Sequence, residues 1–98
     1  MVELKIKEIF NGLDNISTRE KGLILRKNLE QLLKTEKTVV LDFEGINLIT
    51  QSFADEVIGV LIRKKGLNFV KSHVKIKNAS DFIKSVFKFV ISYSKKAA

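Results

Sequence analysis

Along the first residues of the chain apolar and charged side chains alternate, with Glu3 and Lys5 separating Val2, Leu4 and Ile6. A period of two puts every second side chain on one face of an extended strand, so residues 1–10 predict a first strand that Asn11-Gly12 breaks. The spacing then lengthens: Leu25, Leu29, Leu32 and Leu33 fall on one stripe of a helix predicted over 17–34. Its start is marked by Ser17-Thr18-Arg19-Glu20, a capping box in which the serine oxygen takes a backbone N–H and the glutamate reaches back. Residues 38–43, Thr38-Val39-Val40-Leu41-Asp42-Phe43, are β-branched and almost continuously apolar. That run predicts a central strand with helices on both of its faces.

A second helix is predicted over 52–65, with Ser52 as its cap and Asp55 favourably placed near its positive end. Phe53, Ala54, Val57, Ile58, Leu61 and Ile62 form its apolar stripe, and Lys64-Lys65-Gly66 ends it. Residues 69–77 predict a strand region, clearest at Val74 and Ile76. A last helix over 80–94 carries Phe82, Ile83, Val86, Phe87, Val90 and Ile91, and residues 95–98 are expected to fray. The order β-α-β-α-β-α predicts an α/β fold, a largely parallel sheet packed by helices within one domain over 1–98.

Composition narrows the chemistry. The 98 residues contain no Cys and one His, which excludes disulfides, thiolate nucleophiles and multi-histidine metal sites. Neither a Gly-x-Gly-x-x-Gly run nor a Walker lysine is present, so no nucleotide cofactor is expected. Asp55 and Glu56 are adjacent, hence about 100° apart on a helix, and do not converge on one bond as an acid/base pair would. The expectation is a protein that works by binding, without catalysis, cofactor or metal. No apolar run approaches the roughly 18–20 residues that cross a bilayer, and the first residues build no signal-peptide core, so a cytoplasmic location is expected.

The formal net charge of +7 is unevenly spread. Residues 63–98 hold ten basic residues against one acid, whereas residues 1–62 hold eight against ten. Such a half is either a solvated basic face or an attractive one. The attractive alternative is a nucleic-acid-binding domain using Lys64, Lys65, Lys71, Lys75, Lys77, Lys84 and Lys88. Arg19 and Arg26, two turns apart on one helix face, read first as solvated arginines and alternatively as a grip for a phosphate or an acidic partner. Phe89 and Tyr93 fall beside the last helix's buried stripe as an exposed apolar edge, and His73 reads as a surface histidine near a strand start.

The stretch from Val39 to Val57 goes beyond pattern. Val39-Val40-Leu41-Asp42-Phe43, then Gly45, then Thr50-Gln51-Ser52-Phe53-Ala54-Asp55-Glu56 resembles the central strand, loop and helix of STAS domains, the fold of anti-sigma-factor antagonists. Together with Ser17-Thr18-Arg19, Gly22, Leu25 and Arg26 upstream, it is similar to the bacterial STAS-like domains of unknown function, from residue 17 to about 83. The resemblance implies a regulatory protein-binding module that docks on a histidine-kinase-type ATPase and is released by phosphorylation at the start of the helix after the central strand. The surface it implies is Asn47, Thr50, Gln51, Ser52, Asp55 and Glu56, adjoined by Ser17, Thr18 and Arg19. The antagonists' Asp-Ser-Ser-Gly signature falls on Thr50-Gln51-Ser52-Phe53, so Gln51, which takes no phosphate, occupies the phosphoserine position. Thr50 and Ser52 flank it as substitutes, while the ordinary reading of Ser52 is a helix cap.

Overall fold

A computed structural model describes residues 1–97. The elements run β1 (Val2–Lys5), α1 (Ile6–Ile9), β2 (Asn15–Ile16), α2 (Arg19–Leu32), β3 (Val39–Asp42) and β4 (Leu48–Ile49). Then come α3 (Gln51–Ala54), a π turn (Asp55–Gly59), α4 (Val60–Lys65), α5 (Leu67–His73), β5 (Val74–Lys77) and α6 (Asp81–Ala97). The main sheet is parallel in the order β1-β3-β5, which puts the most apolar strand in the middle.

Side chains alternate across a strand, so register decides which of them meet the core. Val39 lies beside Val2 and Val74, and Leu41 beside Leu4 and Ile76. Both are fully buried in one cluster to which every helix contributes, from Ile6 and Leu25 through Phe53, Leu61 and Val70 to Phe87. Val40 points the other way, flanked by Glu3 and Lys75, and Asp42 by Lys5 and Lys77. Val40 is little exposed but stands outside that cluster. The helices therefore cover one face of the sheet, and the expectation of helices on both faces is corrected. The continuous apolar run arises because the stems of Glu3 and Lys75 shield Val40 without a helix above it.

Three boundaries also depart from the pattern. Residues 1–10 are not one strand: after Lys5 the chain turns into α1, where Ile6, Ile9 and Phe10 take the i, i+3, i+4 spacing of a helix and pack inward. Residues 69–73 of the expected strand region belong to α5, which buries Val70 and ends where Val74 enters the ladder. α6 continues through Lys95 and Lys96 to Ala97, while the expected fraying at Ala98 lies outside the described residues. Ser80 opens α6 by accepting the Ile83 N–H at 3.2 Å.

Candidate functional site

Two segments far apart in sequence meet where α2 and α3 begin. β2 and β4 form a two-residue parallel ladder, Asn15 beside Leu48 and Ile16 beside Ile49. Further bonds extend it on both sides: the Asn47 N–H donates to the Asp14 carbonyl at 2.8 Å and the Thr50 N–H to the Ile16 carbonyl at 3.2 Å. The Thr50 hydroxyl closes the junction by donating to the Ser17 carbonyl at 2.8 Å while accepting the Phe53 N–H at 3.2 Å. Thr50 is thus both the cap of α3 and the link to the turn before α2.

Both expected caps move. Thr18, not Ser17, caps α2 by accepting the Lys21 N–H at 3.2 Å. Thr50, not Ser52, caps α3, and Ser52 sits half-buried inside its first turn. In each case the hydroxyl that wins is the one on the residue with extended backbone immediately before the helix, the geometry a cap requires. Asn47, Leu48, Gln51, Ser17, Thr18 and Arg19, on the two segments that the ladder and the Thr50 bond join, are all exposed.

Asp55 and Glu56 are placed differently. Asp55 is buried and accepts from Arg19 at 2.7 Å, from Arg63 at 3.0 and 3.3 Å, and from the Tyr93 hydroxyl at 2.8 Å. Arg63 also donates to Ser94 Oγ at 3.0 Å. Burial pushes the Asp55 carboxyl upward, but the bonds from Arg63, Arg19 and Tyr93 outweigh it and hold the carboxyl at about 2. The Tyr93 hydroxyl is raised, by burial first and by its bond to Asp55 second. Glu56, half-buried, takes Arg26 at 3.0 Å, and the Glu56 carbonyl accepts Arg26 Nε at 2.9 Å. Arg19 and Arg26 do share a face of α2, but both grip the acids of the π turn instead of standing free.

The π turn is what aims these groups. It spans the region where α2 lies closest: a methyl group on Gly22 would stand 2.7 Å from Glu56 Cβ and 2.8 Å from the Phe53 carbonyl oxygen. On the other side, a methyl on Gly59 would strike Asp55 Oδ1 and stand 2.9 Å from Ser94 Oγ. Helix π turns of this kind are frequent where a side chain must be re-aimed. Arg63, Tyr93 and Ser94 were not foreseen as members of this cluster, since Arg63 and Tyr93 reach Asp55 from 8 and 38 positions away, Ser94 joins only through Arg63, and no spacing rule links them. The one hint was Tyr93, which stands beside Phe89 with ring centroids 5.5 Å apart.

The basic half is partly neutralised. Lys64 pairs with Glu30 at 3.1 Å and Lys77 with Glu3 at 3.0 Å, and the latter pair raises the Lys77 ammonium. Lys65 lies 6.0 Å from the Phe69 ring, and Lys75 donates to the Lys71 carbonyl at 2.7 Å. Lys84 and Lys88 line a groove described below. His73 is half-buried at the end of α5, and its Nδ1 lies 2.6 Å from the Lys37 carbonyl.

A three-stranded parallel sheet with helices layered on one face, and an exposed hydroxyl- and amide-bearing surface where its two middle helices begin, defines a STAS-like α/β architecture. The chain belongs to the family of STAS-like domains of unknown function, whose model matches residues 21–84. No curated protein and no solved structure matches it. No helix among the described residues is long and apolar enough to cross a membrane.

Proposed function

We propose that the chain is a regulatory protein-docking module whose partner seats on the joined starts of α2 and α3. The observation that carries this reading is the Thr50 hydroxyl bridge to the Ser17 carbonyl, which merges Ser17, Thr18, Arg19, Asn47, Leu48 and Gln51 into one exposed, rigidly held surface. Membership of a STAS-like family favours a protein partner of the histidine-kinase ATPase type. Asp55 and Glu56 serve the surface from beneath, by fixing Arg19, and do not themselves meet the partner.

Thr50 is the better candidate for a phosphate than Ser52. Phosphorylation there removes the donor to Ser17 and adds roughly −1.5 to −2 charge at a helix start, directly against the Ser17-Arg19 turn it now grips. The same hydroxyl that assembles the surface would then disassemble it.

The test is binding to a histidine-kinase-type ATPase encoded beside the gene. Leu48→Asp and Gln51→Arg alter exposed side chains only, so each should weaken binding about tenfold or more while leaving the thermal melt unchanged. Wild-type affinity in both variants overturns the proposed surface. Incubation with that ATPase and ATP should add the mass of one phosphate to the wild type and none to Thr50→Val.

A further inference from the structure

At β5 the sheet ends in an unpaired edge among the described residues. β5 is paired only with β3, and the Lys77 carbonyl accepts the Phe43 N–H at 2.9 Å, so it faces inward. Backbone direction alternates along a strand, and the N–H and C=O of Ile76 therefore face outward, with no strand beyond them among the described residues. The Val74 N–H is already taken by the Val70 carbonyl at the end of α5, which confines the free donor to Ile76 and its C-terminal side.

Beside this edge, Ile76, Phe87 and Ile91 form the floor of a groove of 240 Å³ between β5 and α6. Ile76 is 38% exposed, although it stands on the same face of the sheet as fully buried Leu41. Lys84 and Lys88, one turn apart on α6, form the groove's outer wall. Neither makes an ion pair among the described residues. An unpaired donor and acceptor, an apolar pocket and unneutralised cations thus lie within one short stretch of surface.

We infer that this edge and groove bind an extended acidic peptide of a partner protein, which adds a strand outside β5, sets one aliphatic side chain on Ile76, Phe87 and Ile91, and places carboxylates against Lys84 and Lys88. Strand addition supplies main-chain bonds, and the pocket reads alternate side chains. A second copy of this chain is the poorer occupant, because two such edges would bring Lys75, Lys84 and Lys88 against their own equivalents. Lysines do protect bare edges from aggregation, but Lys75 points to the open face of the sheet, leaving the exposed apolar groove on the other face unguarded.

The full chain should be titrated with a short fluorescein-labelled peptide alternating isoleucine with aspartate, read by polarisation and by amide shifts in NMR. Binding should move the amides of residues 75–78 and 84–91 and leave those of 47–52 in place, which separates this surface from the proposed docking surface. Lys84→Glu with Lys88→Glu, both at exposed positions, should weaken binding about tenfold or more, and so should N-methylation of alternate peptide amides. No binding, binding indifferent to N-methylation, or displacement of the peptide by an equally charged oligonucleotide overturns the inference. So does a dimer in sedimentation that Ile76→Lys dissociates.

Discussion

Replacing Asp55 with Asn is the most informative single change in this molecule. The side chain is 7% exposed and accepts from Arg63, Arg19 and Tyr93, while those two arginines are 33% and 55% exposed. Asn keeps the shape and one oxygen but presents an amide N–H₂ to cations, much as a protonated carboxyl would. A carboxyl held at about 2 against an ordinary 3.8 is stabilised in its charged form by about 2 kcal/mol. The 3–5 kcal/mol typical of breaking a fully buried pair is too high here, since both arginines still reach water once released. Urea unfolding should therefore show a midpoint lower by roughly 1–2 M with an unchanged slope. Because the folded value is depressed, the contribution of Asp55 is complete above the unfolded pKa near 3.8 and disappears as pH falls through about 2. The gap between wild type and Asp55→Asn should accordingly be constant from about pH 5 to 8 and close towards pH 2. A gap that stays constant down to pH 2, or a midpoint that does not move at neutral pH, would refute the account of this cluster.

Three further outcomes follow from other parts of the fold. Gly22→Ala should lower stability by roughly 1–3 kcal/mol in thermal melts, because its methyl meets the Phe53 carbonyl, a backbone atom that cannot swing aside. Thr50→Ala should cost about 1–2 kcal/mol through loss of a cap and a cross-segment bond, whereas Ser52→Ala should stay within about 0.5 kcal/mol; reversal of that order would restore Ser52 as the cap. Leu41→Ala should cost about 2–5 kcal/mol, while Val40→Ala, one position along the same strand, should cost about 1 kcal/mol; equal losses would mean that both faces of the sheet carry a core.

Much of this was legible in the residues because the responsible interactions are local or periodic. The alternation of Val2 with Leu4 and the leucine stripe of α2 each announce an element and its buried side, and the run Val39-Val40-Leu41 announces the central strand, though not which of its faces the helices cover. The STAS-like motif around Thr50-Gln51-Ser52-Phe53 pointed to the family to which the chain belongs. What escaped depends on partners distant in sequence. The β2–β4 ladder is two residues long and exists only because two loops are brought together. Asp55 looked like an exposed charge of a first helical turn, since the cations that bury it come from α2 and α4 and the hydroxyl from α6. α1 was missed for a different reason: Ile6 fits a period of two with Leu4 and a period of three with Ile9, and the second reading is the one realised.

The π turn has a bearing on which length changes the chain would tolerate. Residues 51–65 form one continuous rod containing a surplus residue, and each residue of an α-helix advances by about 100°. Deleting one position within 56–59 would remove that surplus residue and make the rod regular, while the residues beyond would keep nearly their present direction, because a π turn fits one extra residue into almost the same rotation. Leu61 and Ile62 would still face the core, but Arg63 would stand seven positions from Asp55 instead of eight. Local irregularity here sets the spacing of one buried cluster, so a shortened, more ideal helix should still fold but give up part of the stability that Asp55 contributes.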